Sequence, residues 1–129
     1  MNSRQAYLQL RTHLLDCNMM EVTPQRLKEE VEKGTSMSIV DLQDAHEYEH
    51  SHIPGAVNIE FEKFEVEYTD ILRDKDQTIV LYGEYDELGK GSESASTLEA
   101  AGYTKVGRVV GGLMGWKEAG YPTDGGRES

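Results

Sequence analysis

The stretch TIVLYGEYDELGKGS, residues 78–92, decides the fold. Its first five residues are β-branched, aliphatic or aromatic, follow the polar turn Asp74-Lys75-Asp76-Gln77 and stop at Gly83, which predicts a strand. A loop follows, and a helix is predicted from about Ser92 through Leu98 to Ala101, ended by Gly102. Strand, glycine-bearing loop and helix in this order form the repeating unit of an α/β domain, where ligands sit beyond the carboxyl ends of the strands. Backbone N–H groups at a loop feeding a helix suit an anion or a thiolate. The side chains oppose it, because Glu84, Asp86 and Glu87 face only Lys90 in charge.

The flanking sequence repeats the alternation. Downstream, residues 106–110 return as a strand, and Gly111-Gly112 opens a last helix carrying Leu113, Met114 and Trp116. Upstream, SIVDL at 38–42 is a short strand ending at Asp41, residues 45–50 are helical, and HIPGA at 52–56 is a turn in which Pro54 drives Ile53 out of the α region. Residues 57–59 resume an extended path, while 61–72 stay open between short helices and loop. Thr23-Pro24 starts a helix that runs to about Lys33, with Leu27 and Val31 on its buried face and Gly34 at its end. Residues 19–22 are extended, and a first helix is predicted from the Ser3 cap to Asp16. Strands separated by helices of about ten residues favour a parallel sheet covered on both faces. The division that follows is an N-terminal helical extension at 1–19, one domain at 20–122, and a frayed tail at 123–129.

Composition narrows the functional classes. The chain of 129 residues carries 24 Asp plus Glu against 13 Lys plus Arg, a formal charge of −11. Such a balance opposes nucleic-acid binding, which depends on cations displacing counterions, and offers nothing to anionic lipid. No apolar run approaches the roughly 20 residues that span a bilayer, and polar residues interrupt the N-terminus where a secretory signal would need an apolar core. A cytoplasmic protein is the expectation. The single cysteine, Cys17, forms no internal disulfide, and with no CxxC or Cys/His cluster around it a structural zinc site has no framework.

Three stretches together resemble the rhodanese (sulfurtransferase) domain family: SIVDLQDAHEYEHSHIPGAVNI at 38–59, TIVLYG at 78–83, and SASTLEAAGYTKVGRVVGGLMGWKEAGYP at 94–122. The resemblance implies a three-layer α/β fold, a five-stranded and mostly parallel sheet with helices on both faces, and an active-site loop directly after the strand at 78–82. In active members the first loop residue is a cysteine that carries sulfur as a persulfide. Here that position is Gly83. Glycine has no side chain to hold sulfur, so the ordinary mechanism has no nucleophile at this site. Gln43 stands where the family often has Arg, and the loop reads as an enlarged, acidic one spanning Gly83, Glu84, Tyr85, Asp86, Glu87, Leu88, Gly89, Lys90, Gly91 and Ser92. Carboxylates there repel thiosulfate.

The remaining candidates read as structural. Asp41 anchors a neighbouring loop by hydrogen bonds rather than acting as a base, since no nucleophile accompanies it. His52 and Gly55 belong to the HIPGA turn; Gly111 and Gly112 allow a close strand-to-helix turn, and Trp116 seals a core edge. His46 and His50, spaced i, i+4, read as a solvated helix surface rather than metal ligands. No metal or cofactor is expected. The sequence therefore predicts a rhodanese-like domain without thiosulfate sulfurtransferase activity, serving as a binding or regulatory module for a protein partner or small ligand at the loop 83–92. The alternative is sulfur transfer through Cys17 or a partner's cysteine.

Overall fold

The computed structural model describes residues 20–85 and 88–125. Five strands form one sheet: β1 (Met20–Val22), β2 (Met37–Asp41), β4 (Val57–Asn58), β5 (Thr78–Tyr82) and β6 (Val106–Val109), in the order β1-β6-β5-β2-β4. Every pairing in it is parallel. The short β3 (Ser51–His52) lies outside this sheet.

The central strand shows how the sequence dictates the layers. Side chains alternate across a strand, so Ile79 and Leu81 enter one core with Val40, Phe64, Leu98 and Val106. Val80 and Tyr82 enter the other with Ile39, Leu27, Leu113 and Trp116. Helices α3 (Phe64–Ile71) and α4 (Leu88–Ala100) supply the first layer, and α1 (Pro24–Lys33) and α5 (Gly112–Glu118) the second. A strand with apolar residues at consecutive positions is thus buried on both faces, as parallel sheets require.

Local chemistry fixes the helix ends. The Thr23 side chain accepts a hydrogen bond from the Arg26 N–H at 3.1 Å, Pro24 occupies the first turn, and Gly34 ends α1 in the left-handed region at φ 77°. Asp44 caps α2 (Ala45–His50) by accepting from the Glu47 N–H at 2.9 Å. Residues 61–72, open on sequence, fold as a 3-10 turn, Phe61–Lys63, leading into α3. Phe64 and Leu72 are buried there, and the Tyr103 hydroxyl donates to the Leu72 carbonyl.

Three expectations need correction. Val31 is 38% exposed, so Pro24 and Leu27 alone bury the face of α1. Helix α4 begins at Leu88 rather than near Ser92. Glycines at 89 and 91 disfavour a helix, yet Gly91 is buried with its missing Cβ position 3.7 Å from the Arg108 side chain, and packing overrides propensity. Residues 88–92, read as loop on sequence, are therefore the first turns of α4. The tail also begins ordered: β7 (Asp124–Gly125) pairs antiparallel with β3, Ser51 opposite Gly125 and His52 opposite Asp124. The N-terminal helix and Cys17 lie outside the described residues.

Candidate functional site

The carboxyl ends of β2, β5 and β6 converge on one edge of the sheet. Asp41 closes β2 and stands in register with Tyr82, the last residue of β5. The Tyr82 hydroxyl donates to Asp41 Oδ2 at 2.6 Å and accepts from the Ile53 N–H at 2.9 Å. Gln43 donates its backbone N–H to Asp41 Oδ1 at 2.7 Å and its side-chain amide to Oδ2 at 2.9 Å. The same amide reaches the Ser51 carbonyl at 3.3 Å. Asp41 is fully buried, and that burial raises its pKa above the usual carboxylate range despite donors that pull it down. Burial and the neighbouring Asp41 push the Tyr82 phenol well above its ordinary value. Gln43 thus holds Asp41 through both its backbone and its side chain and ties it to Ser51.

Gly83 leaves β5 next. Its carbonyl accepts from the Leu113 N–H and the Glu84 carbonyl from the Met114 N–H, both at 2.9 Å. The first turn of α5 is thereby docked on the loop. Gly111 and Gly112 permit this approach, with φ of 81° and 61°. A Cβ on Gly112 would lie 2.6 Å from the carbonyl oxygens of Gly83 and Tyr85.

Above Gly83 opens a cavity of about 230 Å³ whose wall includes Asp44, Glu47, Glu60, Glu62 and Glu84, with Lys90 as its one lysine. The backbone N–H of Ala45 at 2.6 Å and the Lys63 ammonium at 3.2 Å hold the Glu60 carboxyl below its usual range, so it stays charged. Lys90 lies 5.8 Å from the centre of the Phe61 ring. Carboxylates outnumber cationic side chains in its lining.

Of the residues singled out on sequence, the structure brings Gly83, Glu84 and Lys90 into this cavity and Asp41 directly beneath its Gln43 wall. Tyr85 is exposed, Ser92 lies within α4, and Asp86 and Glu87 fall outside the described residues. His52 stands apart, its ring 3.9 Å from that of Tyr48 and its Nδ1 2.7 Å from the Tyr48 carbonyl. Gly55 occupies the left-handed region at φ 87°, and buried Trp116 donates to the Pro122 carbonyl at 2.7 Å. Among the described residues, no group of three His, Cys, Asp or Glu side chains is close enough to hold a metal. No helix among them is long and apolar enough to cross a membrane.

Sequence reasoning did not place Asp44, Glu47, Glu60 and Glu62 beside the loop after β5. The available signal was topological, because the segments after β2 and β4 must end on the same sheet edge as the loop after β5. It also missed Arg108, 8% exposed on β6 and 2.9 Å from Glu21.

An open parallel sheet with helices on both faces and a cleft at its carboxyl edge defines the class. The Rhodanese-like domain family matches residues 23–119, and the chain belongs to that family. A putative sulfur carrier protein, YrkF of Bacillus subtilis, is 30% identical over 97 residues, which cover 74% of this chain and 50% of that protein. The chain thus spans half the length of that relative. Thiosulfate sulfurtransferase GlpE of Haemophilus influenzae is 30% identical over 105 residues, 81% of this chain and 93% of the enzyme. Among solved structures, the rhodanese-like domain of Anabaena sp. Alr3790 is 31% identical, with a TM-score of 0.71, covering 81% of this chain and 78% of that one. The BH2092 protein of Bacillus halodurans shares the fold at a TM-score of 0.76 and 24% identity, covering 97% and 88%.

Proposed function

We propose that the chain is a rhodanese-like binding module that does not transfer sulfur from thiosulfate and that recognises a cationic ligand, a basic peptide, at the cleft over Gly83. The observation that carries this reading is the position of Gly83 at the base of a cavity walled by carboxylates. A persulfide needs a thiolate at that point, and thiosulfate is a dianion entering a negative field. A cation entering the same field is attracted.

Two measurements test the reading together. Thiosulfate:cyanide sulfurtransferase activity should be absent in the wild-type chain. Titration with a labelled Arg-rich peptide should show binding that weakens by about tenfold when Glu84, Asp86 and Glu87 are all changed to Gln, the equivalent of about 1.4 kcal/mol. Unchanged affinity in that variant removes the loop from the account.

A second reading keeps sulfur chemistry, with Cys17 or a partner's cysteine as the carrier. The similarity to proteins named as a sulfur carrier and as thiosulfate sulfurtransferases favours it. It predicts thiocyanate formation that disappears in Cys17→Ala.

A further inference from the structure

Helix α2 is unlike the other helices of the fold. It buries none of its residues, whereas every other α-helix turns at least one into a core. Tyr48 alone is half-buried, packed against the second core, and the rest are exposed. A helix of 6 residues has little stability of its own, and segments with few buried apolar contacts open at a lower free energy than the core does. Yet α2 carries wall residues of the cleft. Glu47 and the cap Asp44 line the cavity above Gly83, and His46, Glu47 and His50 line a second one of about 270 Å³.

The residues on either side of this segment are placed differently. Gln43 and Ser51 are both buried, and the Gln43 side-chain amide donates to the Ser51 carbonyl at 3.3 Å. Residues 44–50 are therefore an excursion closed at its neck by a hydrogen bond, with Gln43 also fixed to Asp41. Beyond the neck, a few pins hold the helix. The Glu60 carboxylate accepts from the Ala45 N–H at 2.6 Å, the Tyr48 hydroxyl donates to the Ala56 carbonyl at 2.6 Å, and the Tyr48 ring stacks on His52.

The last pin is the C-terminal strap. Trp116 anchors it by donating to the Pro122 carbonyl, and β7 then pairs with the neck strand β3. There it abuts the end of α2 so closely that a Cβ on Gly125, at φ 93°, would lie 2.5 Å from the Glu49 carbonyl oxygen.

We propose that residues 44–50 form a flap that swings about the Gln43–Ser51 neck and gates the cavity above Gly83, with the C-terminal strap as its latch. Opening carries Asp44 and Glu47 away from the cavity. It releases the hydrogen bonds from Ala45 and Tyr48, which water replaces, and uncovers no core side chain besides Tyr48. The neck and the sheet beneath it stay in place.

Hydrogen exchange read by mass spectrometry on the full chain tests the flap. In Gly125→Val, which displaces the latch, and in Glu60→Ala, which removes the front pin, exchange at residues 45–50 is expected to rise about tenfold or more while residues 78–82 keep the wild-type rate. Unchanged exchange at 45–50 overturns the flap. So does a rise shared by 78–82, because α2 would then open only with the core.

A thiol on the cavity floor reads the gate. In a Cys17→Ala, Gly83→Cys background, adding Gly125→Val should speed labelling by pyrene maleimide about fivefold or more and by N-ethylmaleimide less than about twofold, since only the bulky reagent needs the flap open. Equal changes for the two reagents overturn the gate. Both reagents are uncharged, so neither outcome depends on the cleft being a cation site.

Discussion

Tyr82 and Asp41 stand side by side in register on adjacent strands, and the phenol donates a 2.6 Å hydrogen bond to the carboxylate while accepting one from the Ile53 backbone. This pair links the central strand, its neighbour and the turn at 52–56 beneath the cleft. Tyr82→Phe removes the donor to Asp41 and strands the Ile53 N–H, at a cost of about 1–3 kcal/mol. Urea unfolding of the variant against the wild type measures it, and a difference under about 0.5 kcal/mol would contradict the role assigned to the hydroxyl.

The same pair gives a pH signature at each extreme. Burial raises the Asp41 pKa, so the folded chain binds this proton more tightly than the unfolded one. The stabilisation is complete below the unfolded value of about 3.9 and is lost as pH rises through the higher folded value. Glu30 and Glu60 run the other way, since hydrogen bonds from Thr35 and Arg26 to the first and from Ala45 and Lys63 to the second lower their pKa values. Their contribution is present above about 4.3 and is lost as pH falls through their folded values. The stability of wild type relative to Asp41→Asn should therefore grow on acidification from neutral pH. A pH-independent difference between the two would falsify the assignment.

At alkaline pH the raised Tyr82, Tyr48 and Tyr103 act in the same sense as Asp41, in a higher pH window. Their stabilisation holds below the unfolded value of about 10 and is lost above it as pH climbs through the folded values. Unfolding followed by tyrosinate absorbance should show a cooperative alkaline transition, shallower in Tyr82→Phe. Gradual titration of all tyrosines without unfolding is the contrary result.

Gly112 and Gly55 both adopt positive φ but differ in surroundings. An added Cβ at Gly112 meets two backbone carbonyl oxygens at 2.6 Å, whereas at Gly55 nothing lies within 4 Å. Gly55→Ala should cost about 1 kcal/mol of backbone strain, and Gly112→Ala about 3 kcal/mol or more with displacement of the loop. Thermal denaturation of the two variants side by side decides between strain and contact.

Restoring the missing nucleophile should not by itself restore the chemistry. Gly83→Cys places a thiol under Glu60 and Glu84, which line the same cavity, and both disfavour the thiolate and its dianionic substrate. Adding Glu60→Gln and Glu84→Gln should raise thiosulfate:cyanide turnover by about tenfold over Gly83→Cys alone, since about 1.4 kcal/mol is within reach of two nearby charges. Equal turnover would mean that the carboxylates do not set the field at residue 83.

The strands of the sheet and the glycine turns were legible because they depend on local signals. Thr78–Tyr82 is a continuous apolar run bounded by turn residues, and Gly34 and Gly111 mark left-handed positions that only glycine fills cheaply. The start of α4 was not legible, since glycines at 89 and 91 argue against a helix and only the fit of Gly91 against Arg108 answers them. Nor was the cleft. Its carboxylates come from segments around residues 44, 60 and 84 that are distant in sequence and meet only when parallel strands bring their ends to one edge. The pairing of β7 with β3 was hidden for the same reason, as two residues carry no periodicity.

The docking of α5 on the loop also orients the loop's peptide planes. In a trans peptide the N–H points opposite to the C=O, and no peptide here is cis. With the Gly83 and Glu84 carbonyls turned toward Leu113 and Met114, the amide hydrogens of Glu84 and Tyr85 point away from that helix. The loop consequently has two electrical characters, a negative rim of side chains and a backbone edge that offers protons. A ligand carrying acceptors along its spine and cations on its flanks complements both.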